Sequence, residues 1–352
     1  MIHLVVGKGG DHNCIIASNH LIKCWGKNDY GQLGYGDKIS RGTEIKQMGN
    51  HLPFIDLGFE YNFNFDFEYQ VLQIVAGAAH TCARLDNNKI KCWGINNEGQ
   101  LGYGDEENRG DEPYEMGNNL TYVNLGTNKT AIYIASGVNH NCAILSPENK
   151  IKCWGSGRTF QNGYYRPIDH IFNTSIGNKD HHMGDNLPYV DLGSGRTVLS
   201  ISLGDYFSCA LLDNHKAKCW GYTPGYHFFD QNQHYYYNEF IFGDDLPYIP
   251  TPGNSPIDKI YAGFEHAFIR LNSTKKWYGW VKFLPDDEQG INPLGLLFGS
   301  SFDSISSGPR TYYFISSSKG LVSTFGNNLH GQLGIESSSN IIYNINLINL
   351  GE

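Results

Sequence analysis

The chain has no run of basic residues and no apolar stretch that approaches a transmembrane span, and its 26 Lys and Arg are outnumbered by 35 Asp and Glu. A net charge of −9 gives phosphate backbones nothing to hold, so neither a nucleic-acid partner nor membrane insertion is expected. No signal-peptide core precedes the first strand, because LVV at residues 4–6 is too short for one. That predicts a cytoplasmic chain unless the sequence is a mature or trimmed product. Catalytic signatures are missing too: there is no Gly-rich phosphate loop, no nucleophile elbow, and no His-x-x-x-His or Cys-x-x-Cys spacing. A non-enzyme without a cofactor is the expectation. Stretches with helical periodicity are scarce, which leaves β-structure.

What is present is glycine, aromatic residues and repetition. The 42 glycines and 14% aromatics suit many turns and bulky packing between sheets. The clearest repeat is HTCARLDNNKIKCWGINNEGQLGYGD (residues 80–105), and HNCIIASNHLIKCWGKNDYGQLGYGD (residues 12–37) matches it position for position. HNCAILSPENKIKCWG (140–155) and FSCALLDNHKAKCWG (207–221) repeat the first half, while HAFIRLNSTKKWYG (266–279) and TYYFISSSKGLVSTFG (311–326) are eroded copies. In each, β-compatible residues flank a turn cluster such as Asp86-Asn87-Asn88, which predicts a tight hairpin.

An apolar run ending in Gly precedes each hairpin, as in IVAG (74–77) and ISLG (201–204). In four units another run follows: LPFIDLG (52–58), LTYVNLG (120–126), LPYVDLG (187–193) and LPYIPTPG (246–253). Four short strands per unit are therefore expected. Such a unit cannot bury both faces alone, and a spacing of about sixty residues points to radial stacking as an all-β propeller of four-stranded blades. An open solenoid is the alternative. The units are expected at about residues 1–58, 71–126, 131–193, 198–253, 257–299 and 302–352, forming a single domain over 1–352.

The pattern G-x-x-H-x-C-A-x-L followed by K-C-W-G-x-N-x-x-G-Q-L-G-x-G resembles the regulator of chromosome condensation repeat family, in its cysteine-containing branch. The resemblance covers nearly the whole chain and implies a propeller, usually of seven blades. Six units are visible here, so six or seven blades are expected.

All eight cysteines fall in four pairs, Cys14 with Cys24, Cys82 with Cys92, Cys142 with Cys153 and Cys209 with Cys219, each spanning one hairpin. The copies that lose cysteine lose both together, with Phe268 and Trp277 standing in one and Tyr313 and Thr324 in the other. Opposed ladder positions share a face, so this pattern predicts four disulfides with Cα atoms about 4.4–6.8 Å apart. Each would contribute about 2–3 kcal/mol in the loop-entropy description. Buried thiols packing between blades are the alternative, and two thiols per blade do not make a zinc site. Disulfides favour an extracellular or lumenal location, against the missing leader. The sequons at Asn119, Asn128, Asn173 and Asn272 do not decide, since an Asn-rich chain gives roughly this many by chance.

Two aromatic inserts interrupt the repeats, FEYNFNFDFEYQ (59–70) and YHFFDQNQHYYYNEF (226–240). The first reads as extended chain. The second stands where the Gly-Gln-Leu-Gly loop belongs, and Tyr226, His227, Phe228, Phe229, Tyr235, Tyr236 and Tyr237 are the expected binding residues, because blade packing does not need them all. The acidic loop GDEENRGDE (104–112) reads as solvated rather than calcium-binding, and Asp180, His181 and His182 with His170 lack a third ligand of definite spacing. The recurring His12, His80, His140 and His266 read as hydrogen-bonding blade residues. The leading functional reading is a monomeric interaction scaffold for a protein, or for a glycan. Nucleotide exchange on a small GTPase, implied by the resemblance, and an enzyme site in the central channel are the alternatives.

Overall fold

The computed structural model describes residues 3–8, 11–62, 65–164, 175–222, 242–264, 266–281, 296–298, 304–308, 311–316, 321–327 and 341–347. Apart from short 3-10 turns, every regular element among them is a strand. In the second unit Val71–Ala76, His80–Leu85 and Ile90–Gly94 pair antiparallel, and Asn88 at φ 59° closes the Asp86–Asn88 turn by donating to the Leu85 carbonyl. Three-stranded sheets of the same design form in the first, third and fourth units. The last two sheets gain a fourth strand, Leu296–Phe298 beside Trp277–Val281 and Ile341–Leu347 beside Leu321–Asn327. Residues 59–70, expected as extended chain, contain a separate hairpin of Phe59–Asn62 with Phe65–Glu68.

The register sets Cys14 opposite Cys24, Cys82 opposite Cys92, Cys142 opposite Cys153 and Cys209 opposite Cys219, and all four pairs are bonded. Their expected spacing is corrected in every pair. The Cα atoms of Cys142 and Cys153 lie 4.0 Å apart, and those of Cys14 and Cys24, Cys82 and Cys92, and Cys209 and Cys219 lie 4.1 Å apart, closer than the expected window. The reason is that the cysteines occupy ladder positions that exchange no hydrogen bonds, where strands approach most closely. In the fifth unit the sequence alignment is corrected by one pleat. Phe268 faces Gly279, and Trp277 faces Arg270. A Cβ on Gly279 would sit 2.2 Å from the Phe268 ring, so the phenyl group takes the space that a disulfide fills elsewhere.

The expected fourth strand does not form in the first four units. Each run makes one rung with its sheet, from Ile55, Val123, Val190 and Ile249 to the carbonyls of Ile22, Ile90, Ile151 and Ala217. Pro53, Pro188 and Pro247 have no N–H to give. A tyrosine hydroxyl stands in the next rung: Tyr103 Oη accepts from the Cys92 N–H and donates to the Cys92 carbonyl, both at 2.9 Å. Tyr35 does the same at Cys24, and Tyr164 accepts from Cys153 and donates to the Pro188 carbonyl. Tyr35 and Tyr103 end Gly-Gln-Leu-Gly loops and Tyr164 ends the corresponding Phe-Gln-Asn-Gly loop, so loop and sheet edge are fastened by one side chain.

Neighbouring units are joined by side-chain bonds that repeat with the sequence. The indole N–H groups of Trp93, Trp154 and Trp220 donate to the carbonyls of Gln32, Gln100 and Gln161 in the preceding unit, at 3.1, 3.0 and 3.1 Å. Those carbonyls also accept from Thr81, Asn141 and Ser208. His12 and His140 meet the hydroxyls of Thr81 and Ser208 at 3.0 and 2.8 Å, and His80 meets Asn141 and Ser136. Because Thr81 and Ser208 donate to glutamine carbonyls, His12 and His140 carry their proton on Nε2. On the outer side, the buried Lys91 ammonium donates to Leu57 of the first unit and Gly117 of its own, both at 2.8 Å, and Lys152 repeats this with Leu125 and Gly184. Trp93 shares a buried cluster with Ile22, Leu33 and Leu57, so the core lies between consecutive sheets.

Three outcomes follow from this framework. Unreduced protein is expected to be lighter than the reduced form by two hydrogens per disulfide and silent to iodoacetamide after denaturation; eight alkylated cysteines would contradict the pairing. Tyr103→Phe leaves the Cys92 N–H and carbonyl without that partner and is expected to cost about 2 kcal/mol in urea denaturation, whereas an unchanged midpoint would show the hydroxyl to be dispensable. The third is pH-dependent. Burial pushes His12 and His80 down to about 4 and His140 to about 3. Unfolded histidines protonate near pH 6.5, so the stability from keeping these rings neutral is complete above that pH and is lost as pH falls toward 4, by up to about 1.4 kcal/mol per unit per histidine. His80→Gln should flatten the loss of stability between pH 7 and pH 5 by about one proton, and an unaltered slope would count against the assignment.

Candidate interaction site

His80 lies opposite Gly94, so the loop entering the second strand and the Gly-Gln-Leu-Gly loop leaving the third emerge at the same end of the sheet. The hairpin turns and the residue 59–68 hairpin emerge at the other. At the loop end, consecutive units interlock through backbone: Gly36 donates to the Gly110 carbonyl at 3.1 Å and Gly104 to Gly177 at 2.8 Å. Gly31 and Gly99, at φ 77° and 71°, approach the next loop so closely that a Cβ would lie 2.4 Å from the backbone nitrogens of Asp111 and Asn178. The ion pair Lys38–Asp111 crosses the first of these seams and Arg158–Glu98 the second.

The expected binding residues Tyr226, His227, Phe228, Phe229, Tyr235, Tyr236 and Tyr237 lie outside the described residues, as does His170. The two stems of their insert are described. At one, a Cβ on Gly221 would be 3.1 Å from the Gln161 Cα; at the other, Gly243 donates to the Asp191 carbonyl at 3.0 Å and accepts from the Lys218 ammonium. The stem at Gly221 is held two residues after Cys219, whose disulfide to Cys209 is buried within the fourth sheet. The insert thus leaves and re-enters the frame where, in the first three units, the interlocking loop does. His182 is buried and its ring meets that of the exposed His181 edge-on at 4.9 Å between centroids. In the acidic loop, Asp105 pairs with Arg109, Asp111 with Lys38, and Glu106 accepts from Asn178. These carboxylates diverge, and among the described residues no group of acidic, His or Cys side chains converges as a metal site.

The first strands of the first four units line a cavity of about 660 Å³ on the central axis. Its polar groups tie strands together: Gln73 both donates to and accepts from the Ile134 backbone, and Ser202 accepts from the Ala262 N–H. At the loop end Lys8 donates its backbone N–H to Gly77 and its ammonium to the Ala262 carbonyl of the fifth unit at 2.9 Å. Burial lowers this ammonium to about 8, against the opposing pull of Asp205. Sequence reasoning missed Lys8, the buried lysines and the tyrosine hydroxyls. The recurrent Lys before each Cys, at Lys23, Lys91, Lys152 and Lys218, and the recurrent Tyr were the signals for the latter two.

Two forms of a family model described as the regulator of chromosome condensation (RCC1) repeat match the chain, one at residues 6–32, 71–100 and 198–223, the other at 24–84 and 91–144. The X-linked retinitis pigmentosa GTPase regulator of Homo sapiens is 26% identical over 157 residues, 44% of this chain and 13% of that protein. The ultraviolet-B receptor UVR8 of Arabidopsis thaliana is 23% identical over 346 residues, 94% of this chain and 67% of the receptor. Relatives matched through part of the chain are much longer, and the match spans only 13–14% of their length. Among solved structures, Prp20p of Saccharomyces cerevisiae superposes with a TM-score of 0.69 at 17% identity, covering 98% of this chain and 76% of that one. The chain carries regulator of chromosome condensation repeats over residues 6–144 and 198–223, and it has the all-β propeller fold of its solved neighbours.

Proposed function

We propose that this protein is a non-enzymatic interaction scaffold, a six-unit propeller that presents its loop end to a protein partner. The observation that carries the reading is the position of the insert at residues 223–241, whose stems at Gly221 and Gly243 are seated in the interlocked frame where a framework loop stands in the first three units. Tyrosine supplies large contact area with few torsions to freeze and a hydroxyl that tolerates water, which suits a binding patch. The neighbour Prp20p is described by its binding to Gsp1p and histones, which supports protein binding as the class of activity.

A second reading, regulation of a small GTPase, is favoured by the relative named as a GTPase regulator. It predicts faster nucleotide release from a purified GTPase, and the scaffold reading predicts none. The primary test replaces Tyr235, Tyr236 and Tyr237 with Ser. Folding and melting temperature are expected to stay unchanged while cross-linked capture of the wild-type partner from native material is lost; a variant that unfolds, or that folds and still captures it, overturns this placement.

A further inference from the structure

The turn end of the central channel differs from the loop end in what it leaves uncovered. Leu4 and Leu72 line the cavity there and are 57% and 44% exposed, with Tyr133 beside them at 40%. Their exposure is built into the repeat. The ladder between the first and second strands shifts register at one place in the second to fifth units; the bulged Leu72, Ile132 and Leu199 are all more than two-fifths exposed, while the fifth unit bulges Asp258, which Arg270 and Lys275 hold. A bulge that repeatedly turns an aliphatic side chain to solvent marks a contact surface more than a packing need.

The electrostatics of this mouth run against those of the whole chain. The protein carries a net charge of −9, yet no Asp or Glu is among the described residues lining the cavity, whereas Arg84, His20 and Lys8 are. Lys8 is engaged at the far end with Ala262. Arg84 is at the turn end, near the Asp86–Asn88 turn, where its Nη1 donates to Asn88 at 2.8 Å and its Nε is buried without a hydrogen-bond partner. A guanidinium has five N–H donors, and a planar carboxylate is their natural complement.

We propose that the turn-end mouth of the central channel binds an amphipathic carboxylate, its apolar body against Leu4, Leu72 and Tyr133 and its carboxylate on Arg84. The cavity volume suits a small ligand or the last residues of a peptide. This site is at the opposite end of the sheets from the Gly221 stem and stands independently of the scaffold reading.

Calorimetric titration of the full chain with decanoate tests it, alongside an apolar tripeptide with a free C-terminal carboxylate. Saturable binding of decanoate alone identifies a small-molecule ligand, and binding of the tripeptide but not of its C-terminal amide identifies a chain end; either supports the site. Decyltrimethylammonium, with the same tail and the opposite charge, should not bind. Arg84→Leu is expected to weaken the bound anion by about tenfold or more, and Arg84→Lys by less. Leu72→Glu, at an exposed position with little bearing on folding, should weaken it too. The proposal is overturned if neither anion saturates, if the cationic amphiphile binds as well, or if binding is unchanged in folded Arg84→Leu or Leu72→Glu protein.

Discussion

One backbone carbonyl in each of the first three units fastens it to the unit that follows. Gln32, Gln100 and Gln161 each turn their backbone oxygen toward the next unit, where an indole N–H and a Thr, Asn or Ser side chain both donate to it. The oxygen is buried and would cost free energy unpaired, so each unit supplies what its neighbour must have. The Gly-Gln-Leu-Gly loop is therefore as much part of the next sheet as of its own. Histidine adds the return bond, since His12 and His140 grip the very hydroxyls that reach those carbonyls. A three-stranded sheet that could not stand alone becomes stable by borrowing from both sides.

The same logic explains how much the sequence disclosed. Hairpins and cysteine pairs were legible because alternation, turn residues and paired spacing are local signals. Cys82 facing Cys92, and Cys209 facing Cys219, follow from a short turn between two strands, whatever lies around them. The missing fourth strand was illegible for the opposite reason. LPFIDLG and LPYVDLG look like strands, and only the fold shows the hydroxyls of Tyr35 and Tyr164 standing in the rungs they would use. Lys91 and Lys152 were hidden by their charge, because a lysine is ordinarily read as solvent-facing until its carbonyl partners in two units are known. Register misled at one point, where Phe268 faces Gly279 and not Trp277, since the fifth hairpin has lost the cysteines that fix the pairing elsewhere. The candidate site was legible only as composition: a cluster of Tyr, Phe and His at residues 226–237 where the repeat would place a loop.

This division of labour bears on function. Where loops are consumed by the framework, as at Gly31 against Asp111, they have no freedom left to read a partner. Two elements lie outside those bonds: the stems at Gly221 and Gly243, from which the insert departs, and the apolar mouth around Leu72 and Arg84, and the proposals for binding rest on these. A propeller built in this way can change what it binds by altering inserts and bulges without disturbing the bonds between units.

The claim on which all of this rests is that the first four units are fastened into one cooperative body through the glutamine carbonyls. Native-state hydrogen exchange of the indole protons of Trp93, Trp154 and Trp220, followed by NMR, measures it directly. The three protons are expected to exchange together, with the free energy of global unfolding. Graded exchange, with one indole opening several kcal/mol more easily than the others, would mean that the units open singly and would contradict the account.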